Sequence, residues 1–317
     1  MRRTVYIHCG LHKTGTTAIQ TALADGRDTL RAHGVLYPAS GDEHAGHHNL
    51  AWQISGRSEF SPDALTIADA VAQIAAFDGD AVLSSEDFES FMDNPAALAP
   101  LVQPLRQLGR RVCVLVYVRD AASYALSLYM ELLKHGFPNT FDIFSAEIAM
   151  TGRVQYRQWL FQFNYRQLRA AWRSHRHAQV VWRRYRPAKR SGSVVMDFLP
   201  LVGLPATLLG ELADRRVNER ETPRRALARL TANQLGRELQ ESEVLAVERL
   251  FTHLRRSEPD NGATWLPERV FSERSVAAVA AFGATADAEA ERSLAAWWVR
   301  RPASARLWRF FRARATG

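Results

Sequence analysis

One stretch near the amino terminus constrains the fold of this chain more than any other: residues 8–17, which read HCGLHKTGTT. Residues 4–9, ahead of Gly10, form a short apolar run with β-branched residues, which is typical of a buried strand. From Thr16 onward, apolar residues recur at helical spacing and predict a helix. A strand, a glycine-containing loop and a helix in this order direct backbone amides and the positive end of the helix dipole at one point. The stretch therefore predicts a site for an anion.

The side chains of this loop suit the oxygens of a phosphate group. Gly10 and Gly15 allow a tight bend and a close approach of backbone amides. Lys13 adds a mobile positive charge, and Thr16 and Thr17 add hydroxyl donors in the first turn of the helix. A turn without a ligand is the simpler interpretation. The joint presence of a lysine, two glycines and two threonines behind a strand favours a phosphate site over it.

The spacing differs from that of the usual nucleoside triphosphatase loop, in which a lysine directly follows the second glycine. Gly10 and Gly15 have the right separation, but Thr16 stands where that lysine would be, and Lys13 lies inside the loop. A lysine in this position would meet the terminal group of a bound nucleotide from another side. This spacing argues against a small-molecule kinase that binds ATP with magnesium. Such a kinase is nevertheless the main alternative among enzymes.

Strands and helices alternate along the chain as far as Tyr185. Further strands are predicted at residues 35–38, 81–83, 112–118 and 178–185. Helices are predicted over residues 62–77, 96–108, 120–134 and 155–174. This alternation predicts an α/β fold with a parallel sheet flanked by helices. We expect a single domain over residues 1–317, with an α/β core at about 1–205 and a mainly helical C-terminal part at about 206–317.

Charge and apolar runs narrow the class of protein. The formal net charge of +8 favours anionic partners without choosing among them. Cys9 and Cys113 both lie in predicted strands, so we expect buried reduced thiols and no disulfide. The apolar stretch after Arg2 and Arg3 is broken at His8, which makes it too short for a signal peptide, and no apolar run approaches the roughly 20 residues of a membrane-spanning helix. We therefore expect a cytoplasmic protein.

The stretch HCGLHKTGTTAIQ resembles the 5′-phosphosulfate loop of sulfotransferases that use PAPS (3′-phosphoadenosine-5′-phosphosulfate), especially bacterial members with a histidine before the lysine. The resemblance extends over roughly residues 4–200 by the order and spacing of the strands, and it implies that the α/β fold is P-loop-like. It implies that the loop holds the donor through Gly10, His12, Lys13, Thr14, Gly15, Thr16 and Thr17. His8 and His12 are expected to shape the loop more than to take part in the chemistry.

A second group of residues fits the same family. Its members place an arginine at the end of a central strand and a serine eight residues later, and together these hold the 3′-phosphate of the donor. Here Arg119 follows the strand predicted at residues 112–118, and Ser127 stands eight residues further along. The dipeptide Asp120-Ala121 departs from the family, which often has a proline beside the arginine. Two phosphate motifs in the right order imply a donor with phosphates at both ends.

By this resemblance, the chain moves a sulfuryl group from PAPS to a hydroxyl or amine of an acceptor, and 3′,5′-ADP leaves. Lys13 would stabilise the leaving oxygen, and the resemblance requires no metal ion. The acceptor is an unidentified small molecule or glycan, with carbohydrates and lipids among the candidates. A catalytically inactive protein that binds a nucleotide or a glycan is an alternative from outside the enzymes.

A base is needed to take the proton of the acceptor, and several residues are candidates. Glu86 is the first choice because it follows the strand at residues 81–83, at the edge of the sheet where ligands of such folds bind. His47 and His48 are the second choice, since histidine titrates near neutral pH. Asp87 is an alternative carboxylate. A helix-terminal charge without a role in chemistry is the simpler interpretation of Glu86.

The segment after Glu291 has no acidic residue and is rich in arginine and aromatic residues. It predicts either a terminal helix with buried aromatics and solvated arginines, or a peripheral contact with an anionic surface such as a lipid or an acidic glycan. Nucleic acid is not an expected partner, because basic charge appears without a recognition motif. The sequence does not specify an oligomeric state.

Overall fold

The computed structural model describes residues 3–175, 178–186, 193–210, 212, 223–234, 236, 240, 242–245 and 279–280. The strands in this part of the chain are β1 (Thr4–Gly10), β2 (Val35–Leu36), β3 (Asp80–Ser84), β4 (Arg111–Val118), β5 (Arg153–Tyr156), β6 (Trp159–Gln162) and β7 (Gln179–Arg184). The helices are α1 (Thr16–Asp25), α2 (Arg27–Ala32), α3 (His48–Ser55), α4 (Ile67–Ala75), α5 (Ala99–Gln107), α6 (Ala121–Lys134), α7 (Phe141–Thr151), α8 (Tyr165–Ser174), α9 (Val194–Phe198) and α10 (Pro223–Gln234). Short 3₁₀-helices lie at Glu86–Phe91, Pro95–Leu98 and Leu199–Val202.

Five strands form one parallel sheet in the order β2-β3-β1-β4-β7. β1 is the central strand: its residue Ile7 pairs with Leu83 of β3 on one side and with Val114 of β4 on the other. Parallel strands need crossover connections, and the helices between the strands provide them. The predicted α/β fold with a parallel sheet flanked by helices is confirmed.

The side chains of β4 alternate between the two faces of the sheet. Leu115 and Tyr117 belong to a core that includes Ile19 of α1 and Phe198 of α9. Val116 points to the opposite face, and α5 also packs against this strand. Because both faces are covered, β4 is an unbroken apolar run instead of an alternating one.

The prediction of one long helix over residues 155–174 is wrong. The structure has the strands β5 and β6, a turn in which Arg157 has a φ of 51°, and then the shorter helix α8. Short aromatic runs such as Trp159–Gln162 fit both the helical and the strand spacing of apolar residues, and aromatic residues favour a strand. The helix predicted at residues 62–77 is also shorter, because α4 begins only at the Thr66 capping box with Asp69.

The described residues divide into two compact units. The first lies within residues 1–119, 157–162 and 167–218 and contains the parallel sheet; the second lies within 120–156, 163–166 and 219–317. In the second unit, the rings of Phe137, Phe141 and Phe144 surround Tyr129. Asn233 of α10 donates to the carbonyl of Phe137 at 2.9 Å, so a polar side chain fastens this helix to the aromatic core.

Two further predictions concern the chain as a whole. Cys9 and Cys113 are buried free thiols, as expected. No helix in the described ranges is long and apolar enough to cross a membrane. The arginine-rich segment after Glu291, and most of the C-terminal part predicted to be helical, lie outside the described residues.

Candidate functional site

The loop that follows β1 lies at the switch point of the sheet. The carboxyl ends of β1, β3, β4 and β7 meet at one edge. The strand order reverses at β1, which has β3 on one side and β4 on the other. Open parallel sheets bind ligands in the crevice at such a point. Residues 11–15 connect β1 to α1 at this position.

The backbone of this loop is tightly bent. Lys13 and Gly15 have φ values of 64° and 82°, and a left-handed conformation costs a lysine roughly 1 kcal/mol. The amide of Leu11 donates to the carbonyl of Tyr117 at 3.0 Å, which extends the pairing of β1 with β4 into the loop. Arg119 donates from Nη1 to the carbonyl of Lys13 at 3.0 Å. The arginine at the end of β4 thus holds the strained residue of the loop.

Packing inside the loop requires a glycine at position 10. A Cβ atom on Gly10 would overlap Thr16 Oγ1 and lie 2.7 Å from Thr14 Oγ1. The buried Thr14 hydroxyl donates to the carbonyl of Leu11 at 2.6 Å and stabilises the bend. Thr16 is also buried, whereas Thr17 is exposed in the first turn of α1. Two of the predicted threonine ligands therefore lie inside the loop, and the third faces solvent.

A buried carboxylate holds the histidine of the loop. Glu89, in the 3₁₀-helix after β3, is fully buried. Its Oε2 accepts the backbone amide of His12 at 2.9 Å and lies 3.0 Å from His12 Nδ1, and its Oε1 accepts the amide of Gln162 at 2.7 Å. An ionised carboxylate only accepts hydrogen bonds, so in this pair the proton lies on His12 Nδ1. His12 Nε2 is the nitrogen left to meet a ligand.

A second histidine is paired with a carboxylate at the start of α3. His48 Nδ1 lies 3.1 Å from Asp87 Oδ2, which also accepts from Trp52 Nε1 at 3.0 Å. Arg57 Nη1 donates to the other carboxylate oxygen at 3.0 Å. Because the pKa of Asp87 is lowered to about 2 by the bond to His48 and by nearby cations, against the effect of burial, its ionised carboxylate only accepts, and His48 Nδ1 carries the proton. His48 Nε2 is then the atom that can accept a proton.

The charges around the two pairs shift their titration. Burial opposes protonation of both rings. At His12, the hydrogen bond and charge of Glu89 outweigh the effect of burial, and at His48 the hydrogen bond and charge of Asp87, together with the charge of Glu86, do so. The pKa of each ring is therefore raised. Burial likewise opposes ionisation of Asp87, but the bond to His48 and nearby cations lower its pKa to about 2. Both rings therefore keep a proton to higher pH than an isolated histidine does.

His47 has a different environment from its neighbour in sequence. It is buried, its Nε2 donates to the carbonyl of Pro38 at 2.9 Å, and its Nδ1 accepts the amide of Ser84 at 3.0 Å. Burial lowers its pKa to about 4. Because the backbone engages both nitrogens, this geometry argues against His47 as a base. Its contacts tie the end of β3 to the preceding loop.

Glu86 lies at the same edge as His48. Its Oε2 accepts from Gln20 Nε2 of α1 at 3.0 Å and lies 3.9 Å from His48 Nδ1. One turn after β3 therefore supplies Glu86, Asp87 and Glu89 to the same cluster. The three carboxylates and the two protonated or protonatable rings form a network next to the loop.

The predicted residues for the 3′-phosphate lie on two elements. Arg119 follows β4 in the first unit, where its guanidinium lies 5.7 Å from the centre of the Tyr185 ring. Ser127 lies on α6 in the second unit, where Asp120 caps the helix by accepting the amide of Ser123 at 3.0 Å. Ser123 and Ser127 are half-buried and share one face of α6.

A cleft of about 430 Å³ lies beside Asp87. It is lined by Ala51, Ser55, Gly56, Arg57, Ser58, Glu59, Asp87, Ser90, Gln158 and Leu160. Arg57 donates to Glu59 at 2.7 Å in addition to Asp87, and Gln158 donates to Glu59 at 2.6 Å. Seven of the ten lining residues have hydroxyl, amide or charged side chains, and a hydrogen-bonded chain leads from the cleft to the partner of His48.

Three residues of the site were missed by the sequence analysis: Glu89, Gln20 and Arg57. Glu89 carried a signal, since it is the third acidic residue within four positions after a predicted strand. Gln20 had only its place on the first helix, one turn after the loop. No signal in the sequence pointed to Arg57, because the pairing of a loop arginine with a distant carboxylate is a tertiary contact. Among the described residues, no group of three or more His, Cys, Asp or Glu could hold a metal ion.

No protein-family model matches the chain, and no curated protein matches it. The solved structures that are similar include the crystal structure of mouse sulfotransferase SULT7A1 complexed with PAP, with 13% sequence identity over 82% of this chain and 86% of that chain. The TM-score of this pair is 0.32.

Proposed function

We propose that the chain is a sulfotransferase that transfers the sulfuryl group of PAPS to a hydroxyl group of an acceptor. One observation carries the proposal: Arg119 Nη1 donates to the carbonyl of Lys13 at 3.0 Å, although 106 positions separate the two residues. Lys13, which the sequence motifs assign to the phosphosulfate end of the donor, thus lies next to Arg119, which they assign to the 3′-phosphate end. A site for a nucleotide with phosphates at both ends needs such a juxtaposition.

In the proposed reaction, the acceptor oxygen attacks the sulfur in line with the bridging oxygen. The new oxygen–sulfur bond forms as the bond from sulfur to the bridging oxygen breaks, and 3′,5′-ADP leaves with the electron pair. Lys13 and the amides of the loop stabilise the charge that grows on the leaving phosphate. The backbone strain at Lys13 fixes the direction from which its side chain leaves the loop.

We assign the general base to His48, with Glu86 as the second candidate. Asp87 fixes His48 Nδ1 as a donor, so Nε2 is oriented to take the acceptor proton, as in other pairs of histidine and carboxylate. The raised pKa makes this nitrogen a stronger base. Glu86 is bound by Gln20 and would then act through its charge on His48.

The hydrogen-bonding side chains of the cleft beside Asp87 support an acceptor with several hydroxyl groups. Pockets for phenols and lipid chains are lined by apolar and aromatic side chains, whereas this cleft has serines, a glutamine and charged groups. We therefore favour a carbohydrate or a related polyol over a lipid. Incubation of the chain with radiolabelled PAPS and either a mixed set of oligosaccharides or simple phenols tests this choice. Transfer of the label to phenols but not to oligosaccharides would contradict it.

Calorimetric titration tests the proposed donor. The full chain should bind 3′,5′-ADP more tightly than ATP with magnesium, and removing the 3′-phosphate should weaken binding about tenfold or more. Tighter binding of ATP with magnesium would indicate a kinase instead. Lys13→Ala should abolish transfer. If the unmodified chain binds 3′,5′-ADP tightly but transfers the sulfuryl group to no acceptor, it is an inactive binding protein.

A further inference from the structure

His12 is unusually constrained for a residue of a ligand-binding loop. Both its backbone amide and its Nδ1 contact the same oxygen of Glu89, at 2.9 and 3.0 Å. Phe161 meets the ring edge-on at 4.9 Å between centroids. Main chain and ring are therefore fixed together, while 22% of the side chain stays exposed. Such a ring has one direction in which Nε2 can meet a ligand.

The charges near the loop pose a problem for a phosphorylated donor. Glu86, Asp87 and Glu89 all lie in one turn beside the loop, and all three act on the titration of His12. Three carboxylates repel an anionic donor, and the fully buried Glu89 cannot be screened by solvent. A positive charge on His12, next to Lys13 in the loop, offsets this repulsion at the place where it acts.

We propose that His12 binds the phosphosulfate end of the donor as a second cation of the loop, with Glu89 as the positioning residue that fixes its ring. This inference rests on the proposed function. His12 Nε2–H donates to a phosphosulfate oxygen while Nδ1–H stays on Glu89. Both nitrogens must then carry protons in the complex.

The proposal makes donor binding a proton-linked event. The groups that face His12 are Glu86, Asp87 and Glu89 from the turn after β3, and His48 from α3; Lys13 is its neighbour in the loop. The carboxylates favour the imidazolium, and the two cations disfavour it. A bound anion favours the imidazolium further, as the carboxylates do. Above the pKa of free His12, binding should therefore take up a proton, and affinity should fall as pH rises.

Calorimetry with 3′,5′-ADP as the probe measures this proton directly. Titrations of the full chain in two buffers with different ionisation enthalpies, between about pH 6 and about pH 9, should show net proton uptake on the alkaline side of this range. His12→Gln should remove the uptake and weaken binding about tenfold or more at the acidic end. Unchanged uptake in His12→Gln would overturn the proposal.

Two further variants separate charge from structure. His33→Gln is the matched control, because His33 is exposed at the end of α2, at the opposite edge of the sheet. It should leave proton uptake and affinity unchanged. Glu89→Gln should lower the pH at which affinity is lost, since an amide does not stabilise the imidazolium. If Glu89→Gln does not fold, the His12→Gln result still decides the question.

The outcome also distinguishes this inference from the proposed function. If the unmodified chain does not bind 3′,5′-ADP at any pH, the proposed function fails. If it binds 3′,5′-ADP with a preference for the 3′-phosphate but without proton uptake, the proposed function stands and the role of His12 is refuted.

Discussion

At the scale of single residues, the site is organised by two histidine–carboxylate pairs. His12 of the loop pairs with Glu89 and His48 of α3 pairs with Asp87, and both carboxylates come from the 3₁₀-helix after β3. In each pair the carboxylate is buried and takes a donor at Nδ1, which leaves Nε2 for chemistry. The same pairing thus serves two tasks in our proposal, binding of an anion and acceptance of a proton.

The pH dependence of transfer tests His48 as the base. Its neutral form is the active one, so the rate should rise with pH through a pKa above the usual value of about 6.5. Asp87→Asn removes the carboxylate, and the inflection should move to lower pH while the maximal rate falls about a hundredfold.

A rate profile at saturating donor checks this expectation, because saturation suppresses the separate effect of pH on donor binding. Asp28→Asn, at an exposed position of α2, is the control and should change neither quantity. If Asp87→Asn leaves the inflection in place while Glu86→Gln removes it, Glu86 is the base.

Arg119 has two possible tasks that one experiment separates. It donates to the carbonyl of Lys13, and by resemblance it binds the 3′-phosphate. If the second task dominates, Arg119→Ala should weaken 3′,5′-ADP by about tenfold or more and 5′-AMP much less. Equal losses for both nucleotides, measured by calorimetry, would show that the arginine acts by holding the loop.

At the scale of elements, the strand–loop–helix unit is the part most sensitive to small changes. Gly10→Ala places a methyl group on the Thr14 and Thr16 hydroxyls, so the loop must open. Binding of 3′,5′-ADP should fall about tenfold or more. Stability should fall by about 1–3 kcal/mol, as for other overpacked sites.

The control for this change is Gly34→Ala. Gly34 has a φ of 77°, but no atom lies within 4 Å of the added methyl group. It should lower stability by about 1 kcal/mol through backbone strain and leave nucleotide binding intact. Denaturant unfolding and calorimetry on both variants distinguish strain from steric overlap.

At the scale of the whole molecule, buried histidines should set the pH of maximum stability. Burial lowers the pKa of His8 to about 3 and that of His47 to about 4, so the unfolded chain binds more protons below about pH 6.5 and stability falls with acid. The raised pKa values of His12 and His48 have the opposite sign. Their contribution is complete below about pH 6.5 and is lost as pH rises through the folded-state values.

Urea unfolding across the pH range checks this prediction. The free energy of unfolding should have its maximum near about pH 6.5, with acid slopes of up to about 1.4 kcal/mol per pH unit for each buried neutral histidine. His47→Gln should reduce the acid slope, and His12→Gln should reduce the alkaline one. A profile that is flat from about pH 4 to about pH 6.5 would contradict the buried neutral state of His8 and His47.

The parallel sheet and its first loop were predictable from the sequence alone. The apolar runs of β1 and β4, the glycines at 10 and 15 and the cap at Asp120 act through local periodicity and backbone conformation, which are readable from neighbouring residues. The same local reading failed at residues 155–174, where a short aromatic run fits both periods.

The division of the candidate groups among tasks depends on contacts between distant parts of the chain. His47 and His48 are neighbours in sequence, yet one is held by backbone groups at both nitrogens and the other is paired with Asp87. Glu89 became visible as the partner of His12 only because the parallel sheet brings the ends of β1 and β3 to one edge. The physical reason is that burial and hydrogen-bond partners, which set the charge and orientation of a titratable group, come from residues far away in the chain.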